Sequence, residues 1–61
     1  MTDLQIYLTL GDYARAVPEL ERSVKLSSDD ARSRLIYGRA LLHVGKQSEA
    51  IAQFKKALEL E

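Results

Sequence analysis

Three observations predict an all-α chain of two antiparallel helical hairpins. The sequence nearly repeats itself after 34 residues, its apolar residues recur at the helical period, and a Gly-led break interrupts the pattern at the same place in both halves. The stretch from Gly11 to Leu26 returns as Gly45 to Leu60. Ala16 aligns with Ala50, Val17 with Ile51, Leu20 with Phe54, Ser23 with Ala57 and Val24 with Leu58. Upstream, Tyr7 aligns with Leu41, Leu8 with Leu42 and Leu10 with Val44. Small and apolar residues stay in register while the charged ones between them vary. A repeated packing unit behaves this way, because only its buried face is constrained.

The first helix is expected over residues 3 to 10. Thr2-Asp3-Leu4-Gln5 fits a capping box, and Met1 and Ile6 are spaced for the accompanying hydrophobic staple. Gly11 then supplies the conformation of a helix end, and Asp12 caps the second helix, expected over about 13 to 26. On that helix Ala16, Val17, Leu20, Ser23 and Val24 form one face. Arg15 with Glu19, and Glu21 with Lys25, are spaced as ion pairs on the other side. Pro18 removes the hydrogen bond to the carbonyl of Ala14 and should bend the first turn.

Ser27-Ser28-Asp29-Asp30 is a turn, and Ser28, Asp29 or Asp30 can cap the third helix, expected over about 30 to 44. Its apolar and small positions are Leu35, Tyr37, Gly38, Leu41, Leu42 and Val44. A glycine inside a helix costs about 1 kcal/mol relative to alanine, so Gly38 implies a close helix contact in return. Gly45-Lys46 turns the chain again. The fourth helix, about 48 to 60, is expected to point Ile51, Phe54, Ala57 and Leu58 inward.

The period and these residues resemble the tetratricopeptide repeat (TPR) family. Gly38, Leu41, Ala50, Phe54 and Ala57 match its pattern in the second copy, and Tyr7, Ala16 and Leu20 match in the first. Together with Gly11 and Gly45 they are the expected repeat-packing residues. Arg34 stands where the family often has Trp, Tyr37 where it has Leu, and Ser23 and Ser28 replace a late Ala and a closing Pro. Leu4 occupies the position equivalent to Gly38, so the first hairpin should close less tightly. The resemblance implies a right-handed α-α solenoid fragment. It divides a single domain over 1–61 into an N-terminally shortened repeat at about 1–29 and a second at about 30–61.

In that family the first helix of each repeat lines a concave groove for peptides. Carried onto this sequence, the groove residues are Arg32, Leu35, Ile36, Arg39, Leu42 and His43, with Gln5, Leu8 and Thr9 from the first copy. Arg32, Ile36, Arg39 and His43 also form one stripe by helical spacing alone. Two guanidinium groups beside aliphatic surface suit a segment with acidic and apolar residues. The same stripe can equally be a solvated basic face, or one buried between copies. The chain holds no Asn, and Ile36 stands where a chaperone-tail clamp would need one, which speaks against that ligand. Two hairpins fall short of the roughly three repeats normally needed for stability. Either self-association, with Ile51 and Leu58 as the candidate residues, or membership of a longer array is therefore expected.

Chemistry finds little support. The positions three and four residues from His43 hold Arg39, Ala40, Lys46 and Gln47, none of them a metal ligand, so His43 reads as a surface or groove histidine. Asp29 and Asp30 read as caps, and Tyr7, Tyr13 and Tyr37 as packing residues. Neither a catalytic grouping nor a cofactor motif is present, and without Cys there is no disulfide or thiolate site. Nine basic residues balance nine acidic ones, which argues against nucleic-acid binding. No apolar run approaches the roughly 20 residues that span a bilayer, and no signal peptide is visible. The expected function is a non-enzymatic scaffold that binds a protein or peptide, with a structural self-assembly element as the alternative. Its compartment is not readable from these residues.

Overall fold

The computed structural model describes residues 2–60. Four helices follow one another: α1 (Asp3–Leu10), α2 (Tyr13–Leu26), α3 (Ala31–His43) and α4 (Gln47–Leu60). Each packs on its neighbour in sequence, α1 on α2, α2 on α3 and α3 on α4.

The caps explain where the helices begin. The Thr2 hydroxyl accepts from the Gln5 N–H at 3.3 Å, the Thr2 half of the expected box. Met1, the outer half of the staple, lies outside the described residues. Asp12 accepts from the Arg15 N–H at 3.3 Å. Its other carboxylate oxygen takes the Arg15 side chain at 3.3 Å, so Arg15 pairs backwards with the cap instead of forwards with Glu19. The Glu21–Lys25 pair forms as spaced, at 3.2 Å. α2 runs unbroken through Pro18.

Of the three candidate caps before α3, Asp30 is the one used. It accepts from the backbone N–H groups of Arg32 and Ser33 and from the Ser33 hydroxyl. The Ser33 hydroxyl, then the Ser33 N–H, hold the Asp30 carboxyl below its ordinary value of 3.8, with the Arg32 N–H and charge adding to this. A carboxyl with a lowered folded pKa stabilises the fold fully above the ordinary value and loses that effect as pH falls through the lower one. Helicity followed by circular dichroism is therefore expected to decline on acidification below pH 3.8, with a component that disappears in Asp30→Asn.

The two intra-hairpin turns are built alike, bond for bond. The Gly11 N–H donates to the Leu8 carbonyl at 3.2 Å and the Asp12 N–H to the Tyr7 carbonyl at 2.8 Å. Gly45 donates to Leu42 at 3.1 Å and Lys46 to Leu41 at 2.8 Å. Both glycines are left-handed, at φ 75° and 84°, which is the Schellman ending that glycine permits without strain.

The core lies along the faces the repeat keeps in register. Ala16, Leu20, Val24, Leu41, Ala50 and Ala57 are buried, as is Ala40, which the apolar pattern of α3 did not single out. Ala16, Leu20 and Ala40 form the central cluster, flanked by Leu4, Tyr7, Leu8, Tyr13, Val17, Ile36 and Tyr37. In the second hairpin α4 comes close to α3 at Gly38. A Cβ there would stand 2.6 Å from the Phe54 ring.

Two expectations for α4 need correction. Ile51 and Leu58 do not point inward; both are exposed. The side of α4 that meets α3 is spent on Ala50, Phe54 and Ala57. Ile51 and Leu58 are each one residue further along, about 100° around the helix. Arg34, in the place of the family's Trp, bridges instead of packing. Its Nε donates to the Ser28 carbonyl at 2.9 Å and its Nη1 to Gln53 Oε1 at 3.0 Å, tying the inter-hairpin turn to α4.

Candidate functional site

α1 and α3 stand on the same side of α2, and a pocket of about 260 Å³ opens there. Leu8 of α1, Tyr13 at the start of α2, and Ile36 and Arg39 of α3 line it. Three of these four were expected groove residues. Leu8 and Ile36 are half-buried and form apolar walls, and Arg39 is exposed at the rim. Among the described residues neither Arg39 nor Arg32 takes part in an ion pair. An unpaired guanidinium beside an apolar recess can bind a carboxylate while the recess takes an apolar side chain.

The fourth wall escaped the sequence. Tyr13 lies flat against His43, ring centroids 3.9 Å apart and planes 4° from parallel. The start of α2 and the end of α3 are thereby joined beside the pocket. His43 thus has a packing partner in Tyr13. No periodic signal could reveal the stack, because the equivalent of Tyr13 is Gln47 and the equivalent of His43 is Thr9. Arg32, Leu35, Leu42, Gln5 and Thr9 are exposed and do not line this pocket.

A second cleft, about 340 Å³, lies on the other side of α3, between α2 and α4. It is lined by charged and polar groups, Glu21, Lys25, Lys46, Glu49 and Gln53, over Val17, Val24, Tyr37 and Leu41. Burial, then the charges of Glu21 and Glu49, push the Tyr37 hydroxyl above its ordinary pKa. Phenolate formation is therefore disfavoured in a cleft of mixed charge. Among the described residues no three His, Cys, Asp or Glu side chains are grouped to hold a metal ion. No helix there is long and apolar enough to cross a membrane.

The family model described as tetratricopeptide repeat matches residues 4–60. The chain belongs to the tetratricopeptide repeat family. Tetratricopeptide repeats are typically non-catalytic, and the chain is in general terms a protein-interaction scaffold built as a helical-hairpin solenoid fragment. A similar curated protein is the DnaJ homolog subfamily C member 3 of Rattus norvegicus, 37% identical over 54 residues. That match covers 88% of this chain and 11% of the relative, so the chain spans about a tenth of its length. No solved structure matches the chain.

Proposed function

We propose that the chain binds a protein segment carrying apolar and acidic residues along the side formed by α1 and α3. The observation that supports this most is the pocket of Leu8, Tyr13, Ile36 and Arg39, apolar in its walls and cationic at its rim. An apolar side chain of the segment enters between Leu8 and Ile36, and a neighbouring carboxylate meets Arg39. Arg32, about two helical turns from Arg39 on the same stripe, offers a second cation. Leu35, Leu42, His43, Gln5 and Thr9 extend the surface to either side. The unit doing this is the two-repeat domain, 1–29 and 30–61. Binding rests on shape and a few polar anchors held on pre-formed helices, with no bond made or broken.

Fluorescence anisotropy with labelled peptides tests this. A peptide alternating Leu and Glu is expected to bind, and the same peptide with Lys for Glu is not. Arg39→Ala should weaken the acidic peptide by about tenfold, the loss of one charge-assisted hydrogen bond. Because Arg39 is exposed, the fold should survive that change. Equal binding of both peptides, or no effect of Arg32→Ala with Arg39→Ala, would defeat the proposal.

A further inference from the structure

The 34-residue equivalence continues from sequence into packing and leaves one face without its counterpart. α3 lies on α2, with Tyr37 and Leu41 beside Val17 and Val24. Under this cover Val24 is only 7% exposed. The equivalents of Val17, Leu20 and Val24 on α4 are Ile51, Phe54 and Leu58. Among the described residues α4 packs only on α3, and Ile51 is 44% and Leu58 69% exposed. A helix with the inner side of α3, namely Ile36, Tyr37 and Ala40, would fit there.

One helix of this chain carries the equivalents of those residues. They are Thr2 at its cap, and Asp3 and Ile6 in α1. The outer side of α1 is open too, with Ile6 40% and Leu10 74% exposed. Charge also matches. Inside the chain Tyr37 shares a cleft with Glu21. The equivalent of Glu21 is Lys55 and that of Tyr37 is Asp3, so an ammonium would meet a carboxylate. At the other end of the junction, the places of Tyr13 and His43 are taken by Gln47 and Thr9, side chains able to hydrogen-bond each other.

We propose that copies of this chain associate head to tail, α1 of one copy docking on the Ile51, Phe54 and Leu58 face of α4 in the next, with Asp3 opposite Lys55. The contact joins two unlike surfaces. It is therefore heterologous and continues the internal step from copy to copy instead of closing a pair. Apolar burial at Ile6, Ile51 and Leu58 drives it, and the exposed ion pair sets its direction and register. Thr9 borders both surfaces, but the pocket residues Leu8, Tyr13, Ile36 and Arg39 take no part in this contact, so either proposal can fail without the other.

Sedimentation velocity of the chain over a wide concentration range should show a growing series of species. Asp3→Lys and Lys55→Asp should each weaken association about fivefold, and the two together should restore it. Leu58→Asp and Ile6→Asp should each give monomers, helical by circular dichroism. Mixed, these two should give a one-to-one dimer and nothing larger, because each supplies the face the other has lost. A chain that stays monomeric throughout, association indifferent to both charge changes, or a mixture that remains monomeric would overturn the proposal.

Discussion

Leu20→Ala is expected to remove a large part of the chain's folding stability, about 2–5 kcal/mol. Leu20 is 2% exposed and stands at the centre of the cluster that joins α1, α2 and α3. Truncating a buried leucine to alanine costs about 2–5 kcal/mol, the lost transfer free energy plus the cavity left behind. At about 0.05–0.15 kcal/mol per residue, a domain of this length has only about 3–9 kcal/mol to lose. The site cannot collapse easily, because its neighbours Ala16 and Ala40 are already small. Leu58→Ala, on the exposed side of α4, is the matched control and should change stability by less than about 0.5 kcal/mol. Urea unfolding followed by circular dichroism at low concentration checks both. Similar midpoints for the two variants would mean that the core does not run through Leu20.

Gly38→Ala is expected to destabilise despite improving the helix. Alanine at an interior helix position returns about 1 kcal/mol of propensity. Its Cβ would meet Phe54 Cε1 at 2.6 Å and Cδ1 at 2.9 Å, closer than real contacts allow. The ring sits between two packed helices, so relieving the overlap means moving α4 or straining the ring. Overpacking of this kind costs about 1–3 kcal/mol. A net loss of up to about 2 kcal/mol should follow. Phe54→Leu, which installs the residue found at the equivalent position of α2, should recover much of it in the double variant. Thermal melts of the four proteins in that cycle give the coupling directly. A Gly38→Ala protein that melts at or above the parent would show that the ring yields freely.

Why some of this was legible and some was not follows from where each signal resides. The hairpin ends were legible because Gly11 and Gly45 break a helical period at one offset, and their left-handed backbone needs that residue. Helices α1 and α2 fall where their caps and apolar face put them. Gly38 announced a close contact by being costly in a helix, and Phe54 is that contact. Ala40 gave no such sign. Alanine suits a helix on any side, and only the fit against Ala16 and Leu20 decides that it is buried. The inward reading of Ile51 and Leu58 failed for a related reason. Hydrophobicity marked them as apolar on the helical period, but not which side of α4 meets α3, and Ala50, Phe54 and Ala57 take that side. At the pocket, Leu8, Ile36 and Arg39 were reachable from the helical stripe and the family likeness. The Tyr13–His43 stack joins residues from different helices with no shared period, so only the packed structure displays it. Arg34 was visible as a departure from the family pattern, while its bonds to Ser28 and Gln53 depend on a turn and a helix brought together by folding.

The most direct measurement is an NMR titration of the isotopically labelled chain with the Leu–Glu peptide, reading backbone amides residue by residue. The expected result is a set of shifts centred on Leu8, Tyr13, Ile36 and Arg39, with Lys25, Glu49 and Gln53 in the opposite cleft little changed. Shifts confined to that opposite cleft, or no shifts at any peptide concentration, would contradict the assignment of the binding surface to α1 and α3.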